Sequence, residues 1–182
     1  MKKEIILIGP IGAGKSTIGE LLSQQLGIPQ VSMDDLRFQY YKEIGYDEEL
    51  AKLKRKEGMF NLLEYWKPFE AYAVERLLSE YSQCVIDFGA GHSVYEDQEL
   101  FNRVQRALSP YPNVVLLMPS PDKKESIEIL NERDEFLKNM HPNINEHFIC
   151  HLSNYILANL IIYTKGKTPE ETCNEILQAV AL

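Results

Sequence analysis

Nine residues near the start of the chain combine glycines, a lysine and two hydroxyl side chains at a spacing suited to phosphate. The segment Gly9-Pro10-Ile11-Gly12-Ala13-Gly14-Lys15-Ser16-Thr17 matches the pattern G-x-x-x-x-G-K-[ST] in full. Glycine lets such a loop bend until its backbone N–H groups point inward, toward the positive end of the following helix. We expect Lys15 to reach the β- and γ-phosphates and the Ser16 hydroxyl to hold Mg²⁺. The loop predicts nucleoside triphosphate binding by Gly9, Gly12, Ala13, Gly14, Lys15, Ser16 and Thr17.

A second pattern places an acid at the end of an apolar run. Asp87 directly follows Cys84-Val85-Ile86. An aspartate at the end of a buried strand can accept hydrogen bonds from water bound to Mg²⁺. We therefore expect Asp87 to belong to the metal site, although an acid there can also merely cap the following turn.

These residues need a sheet to position them, and the chain carries the pattern of one. Apolar, β-branched runs alternate with amphipathic stretches, as in a parallel sheet connected by helices. The runs cover residues 5–8, 84–86, 114–118 and 160–163, with a weaker fifth at 28–33. We predict an α/β fold in which a five-stranded parallel sheet carries helices on both faces, as one domain over residues 1–182.

The predicted helix ends and two segments outside the alternating pattern complete this outline. Gly27 ends the first helix, Ser120-Pro121 opens a helix that runs to about Leu137, and Thr168-Pro169-Glu170-Glu171 has the capping-box pattern. Residues 34–80 form a long helical insertion, and a polar loop lies within 134–147. Extra segments on such a sheet are where substrates usually bind.

Composition narrows the class of protein. The 182 residues are 45% hydrophobic and 25% charged, which is ordinary for a globular chain. The net charge of −8 argues against a nucleic-acid binder, and no apolar run approaches the length of a membrane span. Three scattered cysteines lack metal spacing, so we expect them to be reduced, and we expect a cytoplasmic protein.

The chain resembles the small-molecule and nucleoside-monophosphate kinases among P-loop proteins, and most of all shikimate and gluconate kinases. The phosphate loop at residue 9 and the chain length carry the likeness, as do Ser32-Met33-Asp34-Asp35-Leu36-Arg37 and the segment 160–180. The resemblance implies the three-layer P-loop fold. It also implies transfer of the γ-phosphate of ATP, with Mg²⁺, to a small-molecule acceptor. Residues 34–80 would bind the acceptor, and residues at about 131–147 would form a lid that excludes water.

The resemblance also assigns roles to single residues. Asp34 would orient the acceptor hydroxyl, the alternative being that Asp34 or Asp35 caps a helix that starts at Leu36. Arg133 would stabilise the transferring phosphoryl group from the lid, the alternative being an ordinary surface arginine. Ser32 stands where shikimate kinases have a first metal-site aspartate, which leaves Asp87 to supply that carboxylate. The remaining candidates for contact with the acceptor are Arg37, Gly89, Gly91 and His92, the last of which could also be a solvated loop residue.

Two departures separate the chain from shikimate kinases. Their R-x-x-x-Y pattern after the lid reads His151-Leu152-Ser153-Asn154-Tyr155 here, and the arginine that follows a phenylalanine is replaced by Glu70. Neither histidine nor glutamate reproduces the bidentate grip of arginine on a carboxylate. We therefore expect shikimate to be a poor substrate. The run Lys52-Leu53-Lys54-Arg55-Lys56 could bind an anionic acceptor, but we favour its interpretation as a solvated helix face.

Two other functions remain open at this point. A nucleoside-monophosphate kinase would need several lid arginines, and the chain has few. A nucleotide-binding regulatory protein would bind ATP without transferring phosphate. The sequence is compatible with a monomer or a homodimer.

Overall fold

The structure of the protein is a computed structural model that describes residues 4–139 and 142–180. Within them, five parallel strands form one sheet in the order β2-β3-β1-β4-β5, which confirms the predicted sheet. The weakest of the five predicted runs is indeed a strand, but it is only three residues long. The strands are β1 Ile5–Ile8, β2 Gln30–Ser32, β3 Val85–Asp87, β4 Asn113–Met118 and β5 Leu160–Tyr163.

Helices cover both faces of this sheet. Side chains alternate along β1, so that Ile6 and Ile8 belong to one buried cluster while Ile5 and Leu7 belong to another on the opposite face. The first cluster packs against α4 and α5, and the second packs against α1 and α10. The helices are α1 Lys15–Leu26, α2 Met33–Glu43, α3 Glu48–Glu57, α4 Met59–Glu80, α5 Gln98–Leu108, α6 Lys123–Arg133, α7 Glu135–Asn139, α8 Ile144–Cys150, α9 Leu152–Leu157 and α10 Pro169–Ala179.

Two of the predicted helix ends are confirmed. Gly27 ends α1 in the left-handed region, with a φ of 65°, and its N–H donates to the Ser23 carbonyl. Thr168 and Glu171 exchange the two hydrogen bonds of a capping box at the start of α10. A glycine backbone in the left-handed region therefore determines the first of these ends, and side-chain capping determines the second.

The helix predicted from Ser120-Pro121 to Leu137 is wrong at both ends. It begins at Lys123, because the carboxylate of Asp122 accepts the N–H of Glu125 as its N-cap. Ser120 instead forms a buried pair with Ser126, whose hydroxyl donates to the Ser120 carbonyl at 2.9 Å. At the other end the helix stops at Arg133, where Asp134 is extended, and a separate short helix follows.

The two extra segments have different character. Residues 34–80 are helical as predicted and contain most of α2, all of α3 and all of α4. The segment 131–147 contains the end of α6, all of α7 and the start of α8, while Met140 and His141 lie outside the described residues. No helix in the described part of the chain is long and apolar enough to cross a membrane.

The start of α6 can be tested by removing its cap. We expect Asp122→Ala to lower the free energy of unfolding by about 1 kcal/mol, because the Glu125 N–H loses its partner. Glu128→Ala, at an exposed position of the same helix, should change it by less than about 0.5 kcal/mol. Urea denaturation followed by circular dichroism measures both, and equal effects of the two substitutions would contradict the assignment.

Candidate active site

The phosphate loop connects β1 to α1 and depends on glycine at two points. Gly9 has a φ of 140°, and a Cβ there would lie 2.5 Å from the Leu117 carbonyl oxygen, so only glycine lets the loop approach β4. Gly14 has a φ of 95° and precedes the first turn of α1, which makes no side-chain cap. Gly12 also has a positive φ. Within the same loop Ala13 is buried, whereas Thr17 is exposed in the first turn of α1. The first N–H groups of α1 therefore face a hollow suited to an anion.

Lys15 lies buried within this loop. Its ammonium group donates to the carbonyl oxygens of Gly9 at 3.0 Å and Pro10 at 2.9 Å. Burial lowers the pKa of Lys15, and the negative charges of Asp87 and Asp34 oppose that shift. The two carboxylates thus help to keep a positive charge at the loop.

Ser16 and Asp87 form the predicted metal pair. The Ser16 hydroxyl donates to Oδ2 of Asp87, the last residue of β3, at 2.6 Å. The other oxygen, Oδ1, is buried without a hydrogen-bond partner among the described residues. Burial raises the pKa of Asp87, while Lys15 and the Ser16 hydrogen bond lower it. A hydroxyl and a carboxylate oxygen without a partner are the hard oxygen ligands that fit Mg²⁺ or its bound water.

Asp34 stands beside this pair, in the first turn of α2. The helix begins at Met33 rather than Leu36, and its N-cap, Ser32, makes no side-chain hydrogen bond, so Asp34 is not the cap. Its side chain is 57% exposed and lies 3.5 Å from the guanidinium of Arg37. A Cβ on Gly89 would lie 2.6 Å from Oδ1 of Asp34, so Gly89 has no room for a side chain in this arrangement.

A cavity of about 750 Å³ opens next to the phosphate loop, and Ile11, Asp34 and Gly91 contribute to its wall. This volume is within the usual range for small-molecule sites. Much of the wall is apolar, formed by Phe38, Met59, Leu62, Leu63, Trp66 and Phe148. The charged side chains in it are Asp34, Arg37, Glu48, Lys52, Arg55 and Glu70.

His92 lies outside the wall of this cavity. It is 1% exposed, and its Nε2 lies 3.1 Å from the hydroxyl of Tyr41, so it is not the solvated loop residue considered above. Burial lowers the pKa of His92 to about 3, which makes the imidazole neutral near pH 7. The structure thus brings Gly91 to the cavity but places His92 behind it.

The segment 131–147 reaches the phosphate loop at two consecutive residues. Arg133 donates from Nη1 to the Gly12 carbonyl at 3.0 Å. Asn145 is fully buried and holds Ile11 from both sides, accepting its N–H and donating to its carbonyl, each at 3.0 Å. The sequence gives no sign of the role of Asn145, because a single asparagine in a polar loop has no distinguishing pattern.

The sequence did not indicate one further feature, a buried ion pair, and the structure places two other candidate groups. Lys67 and Glu70 form a buried ion pair at 2.6 Å, for which their spacing of three on a helix was the available signal. Lys52 and Arg55 line the cavity, so part of the basic run on α3 faces it. His151, in contrast, caps α9 by accepting the Ser153 N–H and does not line the cavity.

A phosphate loop between β1 and α1, with a serine–aspartate pair and an adjoining cavity, defines a P-loop nucleotide-binding protein. Comparison with known proteins narrows this class. The shikimate kinase family model matches residues 11–181. Shikimate kinase of Aquifex aeolicus is 31% identical over 176 residues, covering 95% of this chain and 93% of that enzyme. The corresponding enzyme of Persephonella marina is 29% identical over 181 residues, covering 96% and 97%.

The chain belongs to the shikimate kinase family and is therefore a P-loop kinase, a phosphotransferase enzyme. Among solved structures, a shikimate kinase from Acinetobacter baumannii in complex with shikimate has a TM-score of 0.65. It is 21% identical, and the match covers 98% of this chain and 92% of that one, which bears on the fold alone. The expected fold class and the expected kind of enzyme are confirmed.

The burial of His92 predicts a dependence of stability on pH. Its pKa is lowered from 6.5 to about 3 on folding, so the unfolded chain binds the extra proton between those values. The contribution of neutral His92 to the free energy of unfolding is fully present above about pH 6.5. It falls as the pH drops, by up to about 1.4 kcal/mol per pH unit. We expect His92→Gln to lack this contribution. Urea denaturation at about pH 7, 6 and 5 measures it.

Tyr41→Phe is the matched control, because it removes the hydrogen-bond partner of His92 and keeps the imidazole buried. It should lose stability with falling pH as the unmodified protein does. Equal pH slopes for His92→Gln and the unmodified protein would show that the buried imidazole does not titrate as described.

Proposed function

We propose that the protein transfers the γ-phosphoryl group of ATP to a hydroxyl group of a small molecule bound in the cavity, and that this molecule is not shikimate. The observation that carries the proposal is the position of Asp34. It lies in the wall of the cavity and close enough to Lys15 to influence its charge. One carboxylate therefore adjoins both the phosphate loop and the space for an acceptor.

Asp34 supplies the acceptor side of the reaction. Its carboxylate accepts a hydrogen bond from the acceptor hydroxyl, whose oxygen attacks the γ-phosphorus. The new O–P bond forms as the bond from the γ-phosphorus to the β,γ-bridging oxygen breaks, ADP leaves, and the hydroxyl proton passes to Asp34. Arg37, at 3.5 Å, holds this carboxylate in place.

The phosphate loop supplies the nucleotide side. The backbone N–H groups from Gly12 to Thr17 and the ammonium group of Lys15 bind the phosphates. Ser16 and Asp87 hold Mg²⁺, directly or through its water, and Oδ1 of Asp87 is the buried oxygen that needs such a partner. A bound Mg²⁺ neutralises the charge that builds up on the phosphate oxygens. Ser32 lies opposite Asp87 in the sheet, so the last residue of β2 brings a hydroxyl group and not a carboxylate to that point.

Residues 131–147 act as the lid of a single kinase domain, and residues 34–80 carry the acceptor site. Arg133 already contacts the phosphate loop at the carbonyl of Gly12, the first residue whose N–H group binds phosphate. From there its guanidinium stabilises the charge on the transferring group.

The case against shikimate rests on positions 70 and 151, where this chain lacks the two arginines of the shikimate kinase pattern. Position 70 presents a carboxylate that is 1% exposed, and His151 lies at the start of α9, outside the cavity wall. Neither position offers a guanidinium for bidentate binding of a carboxylate. A carboxylate that approached Glu70 would meet oxygens that can only accept hydrogen bonds, while the compensating charge of Lys67 lies behind the cavity wall.

Substitution of Asp34 tests the proposed reaction. We expect Asp34→Asn to lower kcat for acceptor-dependent ADP formation by about 100-fold or more, because the proton acceptor is lost. Binding of ATP should change by less than threefold, about 0.6 kcal/mol. Pools of nucleosides, nucleoside monophosphates, sugar acids, cyclic polyols and shikimate serve as acceptors, with Lys15→Ala as the blank.

Asp35→Asn is the control, since Asp35 is exposed in the same turn and does not line the cavity. Its activity should stay within about twofold of the unmodified protein. ATP binding without ADP formation from any pool would contradict phosphotransfer, and strong activity with shikimate would contradict the excluded substrate.

Substitution of Arg133 tests the lid. We expect Arg133→Gln to lower kcat by about 100-fold, as loss of one charge-stabilising donor does in other enzymes, with little change in KM for the acceptor. Lys138→Gln removes an exposed positive charge from α7 in the same segment and should leave kcat unchanged. A loss confined to KM would place Arg133 in binding and not in stabilisation of the transition state.

A further inference from the structure

The cavity ends at a buried ion pair that the proposed reaction does not use. Glu70 is 1% exposed and Lys67 is 6% exposed, and their charged groups lie 2.6 Å apart. Burying two charges costs free energy that the attraction between them often fails to recover, so such a pair is weak evidence of a stabilising role. A buried pair at the wall of a binding cavity calls for a functional explanation.

The two partners occupy different places. Lys67 lies behind the wall, where its ammonium group donates to Oε2 of Glu70 and, at 3.0 Å, to the Gly91 carbonyl, with the ring of Tyr95 5.4 Å away. Glu70 belongs to the wall itself. Its second oxygen, Oε1, accepts no hydrogen bond from the described residues. The buried charge at this part of the cavity is therefore a carboxylate, which can only accept hydrogen bonds.

Glu70 and Asp34 lie against the same short loop. A Cβ on Gly89 would be 2.6 Å from Asp34 Oδ1, and a Cβ on Gly91 would be 2.5 Å from Glu70 Oε1. The two glycines are two residues apart, so their Cα atoms are separated by at most about 7 Å. The two carboxylates therefore lie against neighbouring residues of one loop, with Ala90 between the glycines also in the wall of the cavity.

The cations of the cavity are less buried than Glu70: Lys52 and Arg55 are exposed, and the side chain of Arg37 is 25% exposed with its Nε buried. Arg37 pairs with Asp34 and stacks over the rings of Phe38 and Trp66, and Lys52 pairs with Glu49 at 2.6 Å. Arg55 has no partner among the described residues, but it is exposed. Exposed charges are screened by water and salt, whereas a buried carboxylate acts in a medium of low dielectric. Glu70 should therefore decide selection at its end of the cavity.

From this arrangement we propose that Glu70 selects the acceptor by receiving a hydrogen bond from it. The acceptor is a neutral or cationic polyhydroxylated ring or amino alcohol: one hydroxyl group faces Asp34, and a second hydroxyl, amino or amide group donates to Glu70. Lys67 is the positioning residue that holds the Glu70 carboxylate against the loop. The inference rests on the proposed phosphotransfer and names the class of molecule that receives the phosphoryl group.

Three compounds with one ring test this selection. Shikimate carries a carboxylate, its carboxamide carries two N–H donors in place of the charge, and its methyl ester is neutral without an N–H donor. We expect kcat/KM for ADP formation to be at least about tenfold higher with the carboxamide than with shikimate, and intermediate with the ester. Calorimetric binding with Mg²⁺ and a non-hydrolysable ATP analogue should rank the three compounds in the same order.

Glu70→Gln links the preference to this residue. Glutamine donates as well as accepts, so the tenfold difference should fall to about threefold or less. Glu64→Gln, at an exposed position of the same helix, should keep the full difference. Because Glu70→Gln leaves Lys67 buried without its counter-charge, the double variant Lys67→Gln/Glu70→Gln provides an uncharged pair and should show the same loss of preference.

The outcomes separate the two proposals. Stronger binding of shikimate would assign selection to Arg37 and Arg55 and would overturn the inference, as would binding of none of the compounds at millimolar concentration. An unchanged preference in both Glu70 variants would overturn it as well. Preferential binding of the carboxamide without ADP formation would uphold the selection by Glu70 and contradict the phosphotransfer.

Discussion

In the parallel sheet, β1, β2 and β3 end at one edge, because Leu7 and Ser32 both stand opposite Asp87. The polar residues that follow these strands have to meet there. The phosphate loop follows β1, Asp34 follows β2, and Asp87 ends β3. No loop has to bend far to assemble the site, since backbone pairing already fixes where each chain segment leaves the sheet. Every other contact of the site refines positions that this register determines.

The site contains two groups of buried charges, one at the phosphate loop and one at the cavity. At the phosphate loop, Lys15 faces Asp87 and Asp34, and its own hydrogen bonds go to backbone carbonyls. At the cavity, Lys67 holds Glu70 and the Gly91 carbonyl. Both lysines are more than nine-tenths buried, so removal of either partner would leave a charge without compensation in a medium of low dielectric. The residues 89–91 connect the groups, since glycine allows a carboxylate to lie against each end.

The sequence reveals those parts of the molecule that depend on neighbours along the chain. The phosphate loop, the apolar strands and the capping box at Thr168 each follow from residue types at fixed spacing. The start of α6 depends on a choice among Ser120, Pro121 and Asp122, and the pairing of Ser120 with Ser126, six residues further along, removes the serine from capping. Asn145, the Lys67–Glu70 pair and the burial of His92 depend on which helices pack together. Pattern alone carries no information on such contacts.

The segment 131–147 contacts the phosphate loop at Ile11 and Gly12, and these contacts limit how the segment can move. Asn145 holds Ile11 through two hydrogen bonds in a fully buried position, whereas Arg133 holds Gly12 through one bond from an exposed side chain. An exposed hydrogen bond contributes about 0.5–1.5 kcal/mol, and exchange for a bond to a phosphate oxygen is favourable because the acceptor is charged. In the proposed reaction, Arg133 turns from the Gly12 carbonyl toward the phosphoryl group while α8 stays in place. For the proposed lid, the fixed point is Asn145, whose partner Ile11 belongs both to the phosphate loop and to the wall of the cavity.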